Sequence, residues 1–576
     1  MGGILGSVSA LNNIDTFDIN NINNLLIESK SINECFFFRY TNRQFLNDKI
    51  FEKCNEYFVI FDGILLNKKK LVEAYAAKNI TDLFIKLYKK DGPLFIKKLR
   101  GNFCGALYDL NKKRIIVYNN NMSVKPIYYY FDKNNFVFGS SVLNISKVLC
   151  KLDIRYTQSR LGAYYLLTFG YMIDDETLVN EIKRLPPASI LDVDMSDQDN
   201  LVMKIYPYYV YDNTSFHDTS PQQMVNELND RFRHAVRLSF EKDNEYNKKH
   251  LGLLSGGLDS RMIVFCAKSL GYNQMQLLTF AQSASLDEKI ARQIARFLHL
   301  DLLFYQLDGG DYFKQISDIV QINSGHVFFS GAAHQYTAVS KINNNAFGLL
   351  HNGNLADAMQ GDYTDAPFHR PPNVVAWATS SKLVPKVFDA LLQVKKKYAN
   401  EEHFAINNNG INAITNGNIM SYDFFETAEP YLDYDVVDYA SKIPPEYKYK
   451  ERLFIMMIEK FYPDAVKFKW EKWRMKPTTK NFSLYKSFVY RNYMRLYKKI
   501  LRMTTGIYSM NPFDYWHQTN KDLLFFITKY YNAHIDLIKD PNINKDCRML
   551  FTAGNAQEKH LVLTYLEIFK QLFAVK

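Results

Sequence analysis

The chain has 576 residues, 47% apolar and 23% charged, with 71 Lys and Arg against 60 Asp and Glu for a net charge of +11. That size predicts two to four domains, and the composition excludes disordered and fibrous classes. No run of about 18 apolar residues occurs, and the six cysteines include no C-x-x-C pair. A membrane span, a disulfide framework and a zinc ribbon are therefore not expected, and the pattern suits a soluble cytoplasmic protein. The start, Met1-Gly2-Gly3-Ile4-Leu5-Gly6-Ser7, lacks the basic flank and apolar core of a secretory signal.

Residues 1–207 read as β-rich. Aromatic and β-branched runs such as Tyr57–Phe61, Gly105–Asp109, Ile115–Tyr118 and Ile127–Tyr130 are separated by turn clusters. Residues 208–223, with Asp-Asn-Thr-Ser and Thr-Ser-Pro, read as a linker running into a helix. From 224 to 480 apolar strands alternate with amphipathic helices. The strand candidates are His250–Leu254, Gln276–Phe280, Leu302–Leu307 and Phe347–Leu350, and the alternation predicts a parallel sheet covered by helices. Residues 481–576 read as a helical extension, with Leu561, Tyr565, Leu566, Ile568, Phe569, Leu572 and Phe573 on one face. The densest basic stretch, Arg491–Arg502, interleaved with aromatics, reads as a helix with a solvated basic face rather than a nucleic-acid or membrane-surface site.

The sharpest local signal is Leu253-Leu254-Ser255-Gly256-Gly257-Leu258-Asp259-Ser260-Arg261, between an apolar strand and a helical run. Two glycines allow a tight turn whose N–H groups face an anion, the helix adds its positive end, and Ser255 and Ser260 add hydroxyls. Asp259 would repel a bare phosphate, so its presence implies Mg²⁺ bridging carboxylate and phosphate oxygens. A capped Gly-Gly turn is the plainer alternative. Zinc-hydrolase and Ser-His-Asp chemistry find no support, because no G-x-S-x-G and no helical H-x-x-x-H occurs.

This loop resembles the PP-loop of ATP pyrophosphatases, and the motifs around it are similar, in order, to those of the asparagine synthetase family. Met1-Gly2-Gly3-Ile4, Asp62-Gly63-Ile64, Leu99-Arg100-Gly101-Asn102-Phe103, Lys125-Pro126, Phe138-Gly139-Ser140-Ser141 and Leu185-Pro186-Pro187 occupy the places of the family's glutaminase motifs. Asn352-Gly353-Asn354-Leu355-Ala356-Asp357 and Glu426-Thr427-Ala428-Glu429-Pro430-Tyr431-Leu432-Asp433 occupy those of its synthetase motifs. The resemblance covers residues 1 to about 475.

The resemblance implies an α+β Ntn-hydrolase-like sandwich over 1–207, then an α/β PP-loop domain with a parallel sheet over 224–480. It implies ATP and Mg²⁺ as cofactors, with Asp259 and Asp357 as metal ligands. Leu253, Ser255, Gly256, Gly257, Leu258, Asp259, Ser260, Phe280 and Gly353 are implied to contact the nucleotide. The implied chemistry is adenylation of a carboxylate, releasing pyrophosphate, and then amide or lactam formation. Two departures qualify it. Gly2 stands where glutamine-using members carry Cys, so glutamine hydrolysis is expected to be absent. Asn354 stands where the family carries Glu or Tyr, and an amide takes no proton from an amine. Glu426 is then the candidate base, with a surface acid as its plainer reading. Lys472, with Lys469 in reserve, is the candidate for neutralising charge on the adenylate, with a basic strand edge as its plainer reading. The expected substrate is a small molecule or peptide offering a carboxylate and an amine, with no nucleic acid and no stable membrane insertion; a homodimer or a pathway partner stays open. An inactive scaffold and an ammonia-dependent asparagine synthetase are the alternatives.

Overall fold

The computed structural model describes every residue except 1, 9–18, 20–22, 24, 198, 486, 575 and 576; Met1 of the N-terminal match lies outside the described residues. In the N-terminal half, alternation of buried side chains decides the layering. Along Tyr57–Gly63, Phe58 and Ile60 join one apolar cluster while Val59 and Phe61 join another. Ile115 and Val117 part from Ile116 and Tyr118 in the same way on Arg114–Asn119. Period-2 strands buried on both faces require a layer on each side. Two six-stranded sheets supply the inner pair, antiparallel in every strand pairing. Ile4, Phe37, Phe58, Ile60, Val117 and Phe138 pack between them. Helices Lys68–Ala74 and Ile80–Asp91 cover one outer face, and Val142–Lys151 and Arg160–Phe169 the other. This is the expected Ntn-hydrolase-like sandwich.

The second half begins at the helix Pro221–Glu245, opened by Pro at its first position and capped by Ser220, whose hydroxyl accepts from Gln223 N–H. Its five-stranded parallel sheet has the order Leu302–Gln306, Met275–Ala281, Lys249–Leu253, Phe347–His351, Thr427–Ala428. All four predicted strands are present within two residues of their expected ends. The chain moves outward one way from Lys249–Leu253 and then returns to place Phe347–His351 on its other side. The loops leaving these two neighbours therefore diverge, and the crevice between them is the natural ligand position of such a sheet.

The end of the chain differs from expectation. The helix Ala556–Phe569 is buried on nearly every side, not along one stripe: His560, Leu561, Val562, Leu563, Tyr565, Leu566 and Ile568 are all inaccessible. It sits among Arg160–Phe169, Ile316–Asn323 and Lys521–His534. One apolar cluster thus joins residues of the N-terminal sandwich, the parallel-sheet half and the C-terminal extension. Polar ties follow the same route. Trp516 Nε1 donates to Gln282 Oε1 at 2.6 Å, and Tyr164 Oη to Asp546 at 2.9 Å. All six cysteines are free. Among the described residues, no helix is long and apolar enough to cross a membrane.

Candidate functional site

Ser255–Leu258 leaves the central strand and runs into the helix Asp259–Ser269. The loop holds its own shape. Ser255 N–H donates to Ser260 Oγ at 3.0 Å, the two hydroxyls lie 3.1 Å apart, and Gly257 N–H donates to Ser255 Oγ at 3.2 Å. Gly256 N–H donates to Asp287 at 3.1 Å. Burial, with Glu471 beside it, pushes the Asp287 carboxyl up to about 6. Asp287 escaped the sequence reading, although a Ser285 cap followed by two acids at the start of the next helix was a usable signal.

The loop after Phe347–His351 approaches so closely that a Cβ on Gly353 would lie 2.6 Å from the Asp259 carbonyl carbon and from Ser260 N. Only glycine permits that contact. It brings Asp357 to Asp259, and Asp362 joins them after Gly361, whose φ of +97° turns the chain. Gln360 Nε2 donates to Asp259 at 2.5 Å. Lys472 Nζ reaches both Asp362 oxygens at 2.7 and 2.8 Å and Glu451 at 3.5 Å. Glu451 is fully buried and reaches the cluster from two successive left-handed residues, Lys450 (φ +63°) and Glu451 (φ +56°). Such backbone strain at a buried charged cluster fits a functional site. No sequence pattern announces it.

Four carboxylates therefore crowd one ammonium. Burial, with Asp362 nearby, pushes Asp259 up to about 6, and burial with Asp259 and Asp362 raises Asp357. Burial would also raise Asp362, but the Glu451 hydrogen bond and the Lys472 charge hold it below the carboxylate range. Lys472 is raised despite burial by Asp362 and Glu451. This excess of negative charge is a donor set suited to a hard divalent cation, and Asp259 and Asp357 are the residues that would hold Mg²⁺. A carboxyl raised in the folded state adds stability at low pH that is lost as pH rises through about 6. The expected result is that Mg²⁺ raises the melting temperature at pH 7.5 and does so much less at pH 5, where protons replace it; thermal melts at the two pH values with and without Mg²⁺ check this.

The other sequence candidates divide. Leu253 and Phe280 lie half-buried on one apolar cluster at the strand ends, with the Phe280 ring 5.4 Å from His334. Gly256, Leu258 and Ser260 are buried in the loop, and Gly257 is half-exposed. Lys469 is exposed and offers only its carbonyl, to Arg261. Arg261 itself was missed. It is fully buried and donates to the carbonyls of Gly256, Ala465, Phe468 and Lys469, tying the phosphate loop to the segment that carries Lys472. Asn354 is half-exposed, with its N–H on Asn352 Oδ1.

Glu426 is not brought to the carboxylate cluster. It precedes Thr427–Ala428, and the phosphate loop lies beyond the opposite, C-terminal ends of the strands. Its inaccessible carboxylate pairs with Lys49 at 2.8 Å and Lys125 at 3.0 Å and accepts from Asn42 Nδ2 at 3.0 Å. Lys125 also pairs with Asp62 at 2.7 Å. Burial alone would raise Asp62, yet Lys125 and Lys49 hold it down to about 2. The cluster spans the junction of the two halves and adjoins the N-terminus. Thr41 and Asn42 contact Lys49, and a Cβ on Gly2 would meet Tyr422 O at 3.3 Å and Tyr40 O at 3.4 Å.

A glutamine amidotransferase domain model matches residues 47–209, and an asparagine synthase model matches residues 227–416. The chain is 22% identical over 272 residues to asparagine synthetase [glutamine-hydrolyzing] 1 of Bacillus subtilis, covering 46% of this chain and 41% of that one. It is 23% identical over 309 residues to asparagine synthetase B [glutamine-hydrolyzing] of Escherichia coli, covering 51% and 48%. The chain belongs to the asparagine synthetase family. As a family member it is divergent, and it matches less than half the length of these curated relatives. The two matched models fall on the antiparallel sandwich and on the parallel sheet with its phosphate loop and Asp357.

Proposed function

We propose that the protein is an ATP-dependent carbon–nitrogen ligase that adenylates a substrate carboxylate and joins it to an amine supplied by some source other than glutamine. The observation that carries this reading is the crowding of Asp259, Asp357 and Asp362 around Lys472 beside the phosphate loop. The substrate carboxylate attacks the α-phosphorus of ATP, the bond to the bridging oxygen breaks, and pyrophosphate leaves. An amine then attacks the acyl carbon, loses a proton, and AMP leaves. Mg²⁺ held by Asp259 and Asp357 would offset the charge of the phosphate oxygens. Gly257 N–H and the Ser255 and Ser260 hydroxyls would turn from their bonds within the loop to those oxygens, and Lys472 carries positive charge toward the acyl-adenylate. Lys472→Ala is expected to slow both half-reactions, and Lys469→Ala neither by more than a few-fold. ATP–pyrophosphate exchange against a panel of carboxylates tests the reading. ADP and phosphate as products would reject it.

The N-terminal sandwich serves in this reading as packing rather than as a glutaminase. Gly2 has no nucleophile, and Cys104, in contact with Ser140, is pushed up to about 12 by burial. No glutamate is expected from glutamine above a buffer control. Gly2→Cys should not restore it, because the new Cβ presses on two carbonyl oxygens and Asp62 is already held by Lys125. Glutamate formation that scales with enzyme concentration would overturn this.

A further inference from the structure

Between Glu471 and Asp514 the chain carries ten Lys and Arg and no Asp or Glu, nearly the whole of the net charge of +11. Five of the ten, Arg491, Arg495, Lys498, Lys499 and Arg502, lie on the helix Phe488–Thr504. The helix has three faces. Its inner face is tied down: Met494 is buried, Tyr490 Oη donates to Trp473 O at 2.7 Å, and the Arg474 guanidinium lies 4.8 Å over the Tyr497 ring. A second face is apolar and open to solvent. Val489 (78% exposed), Tyr493 (55%), Leu496 (59%), Ile500 (46%) and Met503 (77%) recur every three or four residues along one line. Beside it runs a third face of exposed cations, Arg491, Arg495, Lys499 and Arg502. The helix is tied to the segment that meets the loop Ser255–Leu258, since Tyr490 holds Trp473 and Glu471 N–H donates to Gly256 O at 3.1 Å.

We propose that this outer surface is a docking site for a bilayer surface rich in anionic lipid, with the helix lying in the plane of the headgroups. An apolar stripe flanked by cations on a 17-residue helix is the form that buries side chains among acyl chains while Arg and Lys reach the phosphates. Other occupants fit less well. A second copy would set identical cationic stripes against one another with no acid on the segment to pair with them. A nucleic acid would leave the apolar stripe in water. An anionic bilayer satisfies both faces at once.

The test is flotation of the full chain with vesicles of phosphatidylcholine alone and with about 30% phosphatidylglycerol. Binding is expected to the anionic vesicles only and to weaken as salt rises. Leu496→Glu with Ile500→Glu should abolish it. Arg491→Gln with Arg495→Gln and Lys499→Gln should weaken it ~100-fold, at about fivefold per cation. Circular dichroism and ATP–pyrophosphate exchange should be unchanged in both, which separates lost docking from misfolding. No binding to anionic vesicles, or equal binding to neutral ones, would overturn the proposal. So would tighter binding to poly-glutamate or nucleic acid than to vesicles, or a dimer in solution that Leu496→Glu with Ile500→Glu dissolves.

Discussion

Substrate-dependent pyrophosphate release is expected to fall at least ~100-fold in Asp259→Asn and in Asp357→Asn while both proteins stay folded. A triphosphate brings several negative charges to a pocket where Asp259, Asp357, Asp362 and Glu451 already outnumber Lys472. A bound cation would offset that repulsion, and each carboxylate lost would weaken its hold on protein and phosphate. The same crowding predicts an opposite effect on stability. Removing one carboxylate relieves like-charge repulsion, and an asparagine at 259 can keep a hydrogen bond to Gln360. Without metal, the melting temperature of either variant should therefore equal or exceed that of wild type, and the gain from Mg²⁺ should shrink. Pyrophosphate exchange and paired melts with and without Mg²⁺ read both effects. Wild-type exchange in either variant would remove that residue from the metal site.

The sheets were readable because their signals are local. Alternating aromatic and β-branched residues such as Tyr57–Phe61 carry period 2 in the sequence itself, and Ser255–Ser260 announces a strand–loop–helix turn by its glycines and cap. Asp259, Asp357 and Lys472, which the structure brings together, stood out because collinear motifs carry them. What escaped depends on three dimensions. Glu451 enters the pocket through two left-handed residues that nothing in its local sequence requires. Arg261 looks like an ordinary first-turn helix residue until four carbonyls from two segments surround it. The Ala556–Phe569 helix reads as amphipathic because its apolar side is counted, yet two elements on its other sides, Arg160–Phe169 and Ile316–Asn323, come from chain segments hundreds of residues away. Glu426 is the instructive case. Its motif was recognised, but which way its side chain faces was decided by Lys49 and Lys125 in the other half of the chain.

Glu426→Gln is expected to act first on stability. The carboxylate is inaccessible and shares two buried ammonium groups with Asp62, so the cluster of Lys49, Lys125, Asp62 and Glu426 is balanced two against two. Replacing one carboxylate by an amide leaves a buried ammonium without its counter-charge, a change that costs about 3–5 kcal/mol in comparable buried pairs. The melting temperature should drop by several degrees. The loss should be felt at the junction of the halves, because Lys49 and Lys125 come from the sandwich and Glu426 from the synthetase sheet. Restoring the balance should restore much of the stability: Lys49→Met combined with Glu426→Gln leaves the Lys125–Asp62 pair intact and should melt closer to wild type than Glu426→Gln alone. A general base behaves differently. Its removal would leave the melt unchanged, keep pyrophosphate exchange, and slow amide formation ~10²–10⁴-fold, with no rescue from Lys49→Met. Melting curves for the three proteins, set beside both half-reactions, distinguish the roles. A wild-type melt with selective loss of amide formation would make Glu426 the base despite its burial, and would require Lys49 and Lys125 to release it during turnover.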